Sequence, residues 1–151
     1  MKKRNISVLL PNLRSMHNIG SIFRTADGAG VNKIYLTGLT ACPPRKEIGK
    51  TALGAEKSVP WEYHPDPLKL LKSLKKEGAK IIALERSRKS VPLKPCPPGQ
   101  SFCLILGNEV EGVDASLLRV ADRVISIPMR GKKESLNVAV AFGIAIYTLI
   151  P

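Results

Sequence analysis

Five short apolar runs with helical patterns between them constrain the fold of this chain more than any other feature. They occupy residues 5–10 (NISVLL), 34–37 (IYLT), 80–84 (KIIAL), 102–106 (FCLIL) and 123–127 (RVISI). A strand that alternates polar and apolar residues faces water on one side, whereas one that barely alternates is covered on both. Between the runs, residues 19–30 place Ile19, Ile22, Phe23, Ala26 and Gly30 on one helical face, with Asn18 as N-cap. Residues 66–77 turn Leu68, Leu71 and Leu74 inward and Lys69, Lys72, Lys75 and Lys76 outward, and Gly78 stops that helix. A short helix is expected after Asp114 and a long one from about Ser135 to Ile150. Strands alternating with helices read as a single α/β domain over residues 1–151, a mostly parallel sheet covered by helices. Residues 38–60 and 86–101 read as long loops, a length that often carries function.

Charge narrows the partners. Twenty-four Lys and Arg against 12 Asp and Glu give a net charge of +12, which favours a polyanion, nucleic acid first. The longest apolar run, Val138 to Ile150, falls short of the roughly 20 residues a membrane span needs. The apolar stretch before Pro11 is too short for a signal peptide, so a cytoplasmic protein is expected. Cys42, Cys96 and Cys103 form no C-x-x-C pair, and His17 and His64 lie far apart, so neither zinc nor a disulfide is expected. No G-x-x-x-x-G-K-[ST] motif occurs, and Gly28 and Gly30 close a helix rather than open one, which disfavours an ATPase or an ordinary dehydrogenase.

Three junctions remain at the kind of strand-to-helix transition where α/β proteins place ligands. In the first, Asn18-Ile19-Gly20-Ser21-Ile22-Phe23-Arg24, helix-start N–H groups suit a phosphate, Gly20 permits close ligand approach and Arg24 adds a forked cation. In the second, Leu106-Gly107-Asn108-Glu109-Val110-Glu111-Gly112, acids accumulate with no Lys or Arg from Leu104 to Leu118, which suits a cationic ligand such as a sulfonium. The third runs from Ile127-Pro128-Met129 through the basic loop 130–134 to Ser135-Leu136-Asn137, with Ser135 as a helix cap. Asn137, a polar amide opening an apolar helix, must find a partner. Each junction has a plainer account: Asn18 and Asp114 as caps, Arg24 and the glutamates as solvated charges, Asn137 bonded to its own backbone.

Together the junctions resemble the SpoU (TrmH-type) branch of the SPOUT superfamily of RNA 2'-O-ribose methyltransferases. NIGSIFRTA is similar to that family's first motif, LGNEVEGV to its second and IPMRGKKESLNVAVA to its third, in the same order. The resemblance implies a domain whose C-terminal segment is threaded into a deep trefoil knot, a feature that base rates alone argue against. It implies S-adenosylmethionine as cofactor, with no metal, held by Leu84 and Glu85, by Leu106, Gly107 and Asn108, and by Ile127, Met129, Ser135 and Leu136. It also implies a homodimer with the active site at its interface, in keeping with a helix 136–150 that is apolar nearly all round.

By the same resemblance Arg24 is the catalytic residue, with Asn18, Glu109 and Asn137 completing the site. A guanidinium with a pKa above about 12 is a poor base, so Arg24 reads as a phosphate anchor that stabilises developing alkoxide charge. Many relatives carry a serine where this chain has Ala139, which removes one polar contact. Larger relatives add an RNA-binding extension, whereas here the domain is expected to dock RNA with its own surface. The candidates beside Arg24 are Lys2, Lys3, Arg4, Arg45, Lys46, Lys50, Arg86, Arg88, Lys89, Arg130, Lys132 and Lys133. The helix lysines 69–76 read as a solvated face. Transfer RNA is favoured over ribosomal RNA, because minimal relatives often act on tRNA. A non-catalytic RNA-binding protein retaining the fold is the rival reading, and base methylation belongs to branches with other motifs.

Overall fold

The structure, a computed structural model, describes residues 3–151, so the RNA-docking candidate Lys2 lies outside the described residues. In chain order the elements are β1 (Ile6–Pro11), α1 (Met16–Ala29), β2 (Lys33–Thr37), α2 (Lys46–Ala52), α3 (Ala55–Ser58), β3 (Trp61–Tyr63) and α4 (Pro67–Lys76). They continue with β4 (Lys80–Leu84), β5 (Val91–Pro92), β6 (Phe102–Ile105), α5 (Ala115–Val120), β7 (Arg123–Ser126) and α6 (Val138–Leu149). The strands form one seven-stranded sheet, ordered β3-β2-β1-β6-β4-β7-β5, in which every pairing is parallel.

The near-continuous apolar runs are explained by two cores, one on each face. Successive side chains of a strand point to opposite faces. Val8, Leu10, Ile82, Leu104 and Leu106 accordingly join a cluster with Ile19, Ile22 and Phe23 of α1 and Phe142, Ile146 and Leu149 of α6. Leu9, Ile81, Ala83, Cys103 and Ile105 point the other way, onto Leu70, Leu71 and Leu74 of α4 and Leu117 of α5. Burial within the second core pushes the Cys103 thiol up to about 12, so this cysteine packs as a small hydrophobe and is not reactive at neutral pH. Asp66 caps α4 by accepting from Lys69 N–H at 3.1 Å, with Pro67 at the first turn.

Several boundaries differ from expectation for local reasons. Helix α1 begins one turn earlier than the apolar stripe suggests, because Ser15 is its N-cap and accepts from the Asn18 N–H at 3.2 Å; Asn18 lies inside the helix. Helix α6 begins at Val138, and its cap is Asn137, not Ser135: Asn137 Oδ1 accepts from Ala139 N–H at 2.9 Å and Val140 N–H at 3.2 Å. Residues 38–60 are not one loop but contain α2 and α3, and the edge strands β3 and β5 were not anticipated. Gly30 does close α1, in a left-handed conformation (φ 77°) whose N–H bonds back to Ala26 and Asp27.

The sheet has a reversal of winding. From β1 the chain lays β2 and β3 to one side, then crosses to β4 on the other, and β6 later inserts between β1 and β4. Ligands of open parallel sheets bind outside the carboxyl ends of strands at such a point.

Candidate active site

At that point the segments following β4, β6 and β7 converge on a cavity of about 430 Å³, within the range of small-molecule sites. Its lining includes Leu84, Glu85, Leu106, Gly107, Asn108, Ile127, Met129, Ser135 and Leu136, so the structure brings together all nine residues expected from the resemblance to surround a cofactor. Glu109 and Asn137 line it as well.

Backbone geometry shapes the wall. Asn108 and Gly112 exchange both backbone N–H···O bonds at 3.0 Å, which folds residues 107–112 into a tight loop. A Cβ on Gly107 would lie 2.9 Å from the Gly112 backbone, and Gly112 itself has φ +73°. The neighbours Glu85 and Arg86 then fasten the three segments to one another. Glu85 Oε2 accepts from Val113 N–H at 2.6 Å, and Arg86 Nη1 donates to the Glu134 carbonyl at 3.1 Å. Arg86 was anticipated as an RNA-docking cation; in the structure its guanidinium lines the cavity and holds the 127–137 segment against β4.

The first junction is rebuilt more substantially. The amides at Asn18 and Ile19 were read as a phosphate cradle, but they lie inside α1 and are taken by it, Asn18 N–H donating to Ser15 Oγ at 3.2 Å and Ile19 N–H to the Ser15 carbonyl at 3.1 Å; just ahead of the helix, Glu109 accepts from Arg14 N–H at 3.2 Å and Ser15 N–H at 3.3 Å. Glu109 therefore ties the cavity loop to the start of α1. Nor does Gly20 open space for a ligand, because its Cβ position is taken by Thr51 Oγ1 and the Ile48 carbonyl of α2. Asn18 does reach the cavity rim, where its Oδ1 accepts from Asn137 Nδ2 at 3.2 Å. Asn137 thus bonds both to its own helix and across to α1.

Arg24 is exposed and stands apart, in a shallow groove with Ser21, Thr25, Gly28, Lys50, Thr51 and Tyr147. One chain does not bring Arg24 to the cavity. Lys3, Arg45, Lys46, Lys50, Arg88, Lys89, Arg130, Lys132 and Lys133 are all exposed. Lys75, one of the helix lysines, pairs with Asp122 at 3.4 Å. Asp114 caps α5, and its hydrogen bonds from the Ser116 hydroxyl and N–H hold its carboxyl below the usual range.

Sequence reasoning missed Arg86, Val110, Glu111, Gly112, Ser126, Glu134, Val138 and Ala141 as lining residues. Val110, Glu111 and Glu134 were inside quoted motifs, whereas Arg86 was not, and its contact with Glu134 spans 48 positions and leaves no local signal. Among the described residues, no group of three His, Cys, Asp or Glu gathers to hold a metal, and no helix is long and apolar enough to cross a membrane.

A parallel α/β sheet with a loop-walled cavity at its winding reversal defines a ligand-binding protein of the doubly covered α/β class. Within that class, the chain belongs to the SpoU rRNA methylase family, whose sequence model matches residues 5–147. It is 33% identical over 146 residues to the tRNA (guanosine(18)-2'-O)-methyltransferase of Aquifex aeolicus, covering 97% of this chain and 69% of that one. It is 35% identical over 142 residues to a 23S rRNA (guanosine(2553)-2'-O)-methyltransferase of Bacillus subtilis, covering 94% of this chain but 56% of the relative. Among solved structures, the AdoMet-bound rRNA methyltransferase of Sinorhizobium meliloti superposes with a TM-score of 0.89 at 28% identity, over 97% of this chain and 56% of that one. The A. aeolicus tRNA-modifying enzyme gives 0.84 at 32% identity, over 97% and 74%.

Proposed function

We propose that this chain is an S-adenosylmethionine-dependent RNA methyltransferase that modifies a ribose 2'-hydroxyl. The observation that carries the reading is the cavity built by the segments after β4, β6 and β7. Its chemistry suits a cationic sulfur: Glu85, Glu109, Glu111 and Glu134 line it against a single guanidinium, Arg86. When bound, the cofactor supplies an electrophilic methyl group. Leu84, Leu106, Ile127, Met129 and Leu136 furnish an apolar bed, and Gly107 and Asn108 offer backbone groups at close range. Asn18 and Asn137, joined at the rim, orient the incoming ribose, and Glu109 positions α1.

The catalytic unit on this reading is a homodimer. Arg24 and the cavity lie apart in one chain, and α6 leaves Val140, Ile144 and Tyr147 exposed at helical spacing, with exposures of 52%, 42% and 60%. A second copy packed there covers that stripe and brings its Arg24 to the neighbouring cavity. The C-terminal segment is read as the threaded part of a trefoil knot, supported by the Cys96 N–H, which bonds the Leu149 carbonyl at 2.9 Å where the 86–101 segment meets the end of α6. A cytoplasmic location follows from the substrate.

Incubation with labelled cofactor and total RNA, followed by mapping of alkali-resistant dinucleotides, tests the assignment. Label in a ribose-methylated dinucleotide from tRNA is expected; label from rRNA, the substrate named for the B. subtilis relative, changes the substrate. A methylated base overturns the ribose assignment, and failure to bind cofactor returns the chain to a non-catalytic RNA binder.

Arg86 gives a separate expectation. Its loss frees the 127–137 segment, so Arg86→Ala is expected to weaken S-adenosylhomocysteine binding roughly three- to tenfold in a calorimetric titration, the scale of one ordinary hydrogen bond, because water screens the charge of the exposed guanidinium. Arg86→Lys, which keeps a donor, restores most of it. Unchanged affinity in the alanine variant would mean that the contact does not shape the cavity.

A further inference from the structure

We propose that Leu39 and Val110 form an apolar ledge beside the cavity mouth that receives a nucleobase of the substrate RNA. The inference rests on the RNA-methyltransferase reading and adds to it the surface on which a base lies.

Among the described residues these are the two most exposed large hydrophobic side chains, at 77% and 76%. They are far apart in sequence but joined by a short run of hydrogen bonds. The Leu39 N–H donates to Asn12 Oδ1 at 2.8 Å; Asn108 Nδ2 donates to the Asn12 carbonyl; and Asn108 Oδ1 accepts from the Val110 N–H at 2.8 Å. Asn12 is the hub, held at φ 54°, a left-handed conformation that asparagine tolerates better than most residues. Val110 lines the cavity, so the ledge starts at its rim.

The presentation is rigid. Gly38 turns at φ +61°, its carbonyl accepts from the Tyr63 hydroxyl at 2.9 Å, and Thr40 N–H bonds the Thr37 carbonyl at 3.2 Å. The buried Thr40 hydroxyl donates to the Leu10 carbonyl at 2.7 Å and accepts from Leu13 N–H at 3.0 Å. An apolar side chain at the tip of a mobile loop needs no explanation. One held in water by a turn pinned on several sides is preorganised for contact.

Charge and chemistry choose the occupant. Arg14, two residues beyond Asn12, is exposed, and so are Arg45 and Lys46, which follow the Leu39 turn in the chain. Cations close in the chain to Asn12 and Leu39 suit a phosphate at that end of the ledge, whereas Glu109 and Glu111, exposed on either side of Val110, disfavour one at the other, so the apolar surface takes the base and the Leu39 end its phosphate. Geometry makes the demand specific: the reacting hydroxyl sits on the ribose carbon adjacent to the one bearing the base, so a ribose at the cavity mouth carries its base, or the next one, onto the surface beside it. Leu39 and Val110 offer no side-chain donor or acceptor, so the ledge takes a base by its face without reading its edge.

The test uses the full chain and fluorescein-labelled bulk tRNA. Both side chains are exposed, so serine substitutions there should leave folding intact. Leu39→Ser with Val110→Ser is expected to weaken tRNA binding in fluorescence anisotropy about tenfold and to raise the KM for tRNA in parallel. Leu39→Ser alone keeps S-adenosylhomocysteine affinity within about twofold. In Leu39→Trp, added tRNA is expected to quench tryptophan emission beyond the change seen for Trp61 in the unsubstituted protein, the signature of stacking. Unchanged tRNA affinity in the double variant, or absent quenching, overturns the ledge. A shift in sedimentation of the double variant also overturns it and assigns the surface to a second copy. If the unsubstituted protein neither binds tRNA nor methylates RNA, the functional reading fails as well; if it does both and the variants match it, the ledge alone is wrong.

Discussion

Arg24→Ala is expected to lower methyl transfer by roughly a hundred- to a thousandfold, the scale seen when a preorganised donor facing developing negative charge is removed. The ribose hydroxyl is a very weak acid, and oxygen gains charge as the proton leaves. A guanidinium remains protonated throughout, so its contribution is to hold that charge and a neighbouring phosphate, not to take the proton. Cofactor affinity is expected to survive, because within its own chain Arg24 lies in the groove with Ser21, Lys50 and Tyr147 and not in the cavity lining, and on the dimer reading it meets the ribose and its phosphate at the neighbouring mouth, not the cofactor. Single-turnover rates with calorimetry on the same preparation separate the two effects. Unchanged turnover would remove Arg24 from the chemistry, and lost cofactor binding would place it in the cavity.

The same variant examines the dimer. If Arg24 serves the neighbouring copy, a mixture of inactive Arg24→Ala with a cavity variant should regain activity. Gly107→Ala suits the second role, since its Cβ would press on Gly112 at 2.9 Å. On random assortment about half the dimers are mixed and each holds one competent site, so about a quarter of full activity is expected. No recovery after subunit exchange would mean that each chain uses its own Arg24.

How far the fold was legible follows from where each signal resides. Strands β1, β2, β4 and β6 are buried or nearly so and announce themselves as apolar runs, and β7, mostly half-buried, still carries enough of the pattern to be read. Edge strands β3 (WEY) and β5 (VP) are short and mostly exposed, and carry no such run. Helix starts were misplaced by two or three residues because more than one side chain in each stretch had cap chemistry. Ser15 and Asn18, like Ser135 and Asn137, are separated only by which hydroxyl or amide the tertiary structure places over the free N–H groups. The cavity wall was legible through motifs with local glycine and asparagine signatures. What ties it together was not: Glu85 to Val113, Arg86 to Glu134 and Glu109 to Arg14 are contacts between distant segments, and their residue types alone read as surface charge.

Gly20 shows how one misreading becomes a stability prediction. Replacing a mid-helix glycine by alanine ordinarily gains up to about 1 kcal/mol from backbone propensity. At Gly20 the added methyl would overlap Thr51 Oγ1 and the Ile48 carbonyl and lie 3.0 Å from Ala52 N. Two of these three are backbone atoms of α2, which cannot rotate away, so α1 and α2 must separate. Overpacking of this kind costs about 1–3 kcal/mol or more, against which the propensity gain is the smaller effect. Gly20→Ala is therefore expected to lose roughly 2 kcal/mol net, a fall in Tm of about 4–8 °C for a domain of this size. Because α1 carries Asn18 and Arg24, turnover should fall with it. Gly143→Ala is the control of opposite sign: it also lies within a helix, but its nearest neighbour is Thr25 Cγ2 at 3.8 Å, an ordinary contact. Measured at a concentration low enough to keep the chain unpaired, since Gly143 shares the α6 face with Val140 and Tyr147, it should raise Tm by about 2–4 °C, the propensity term acting alone. If the two variants shift Tm in the same direction, the close approach of α2 does not explain why position 20 is glycine.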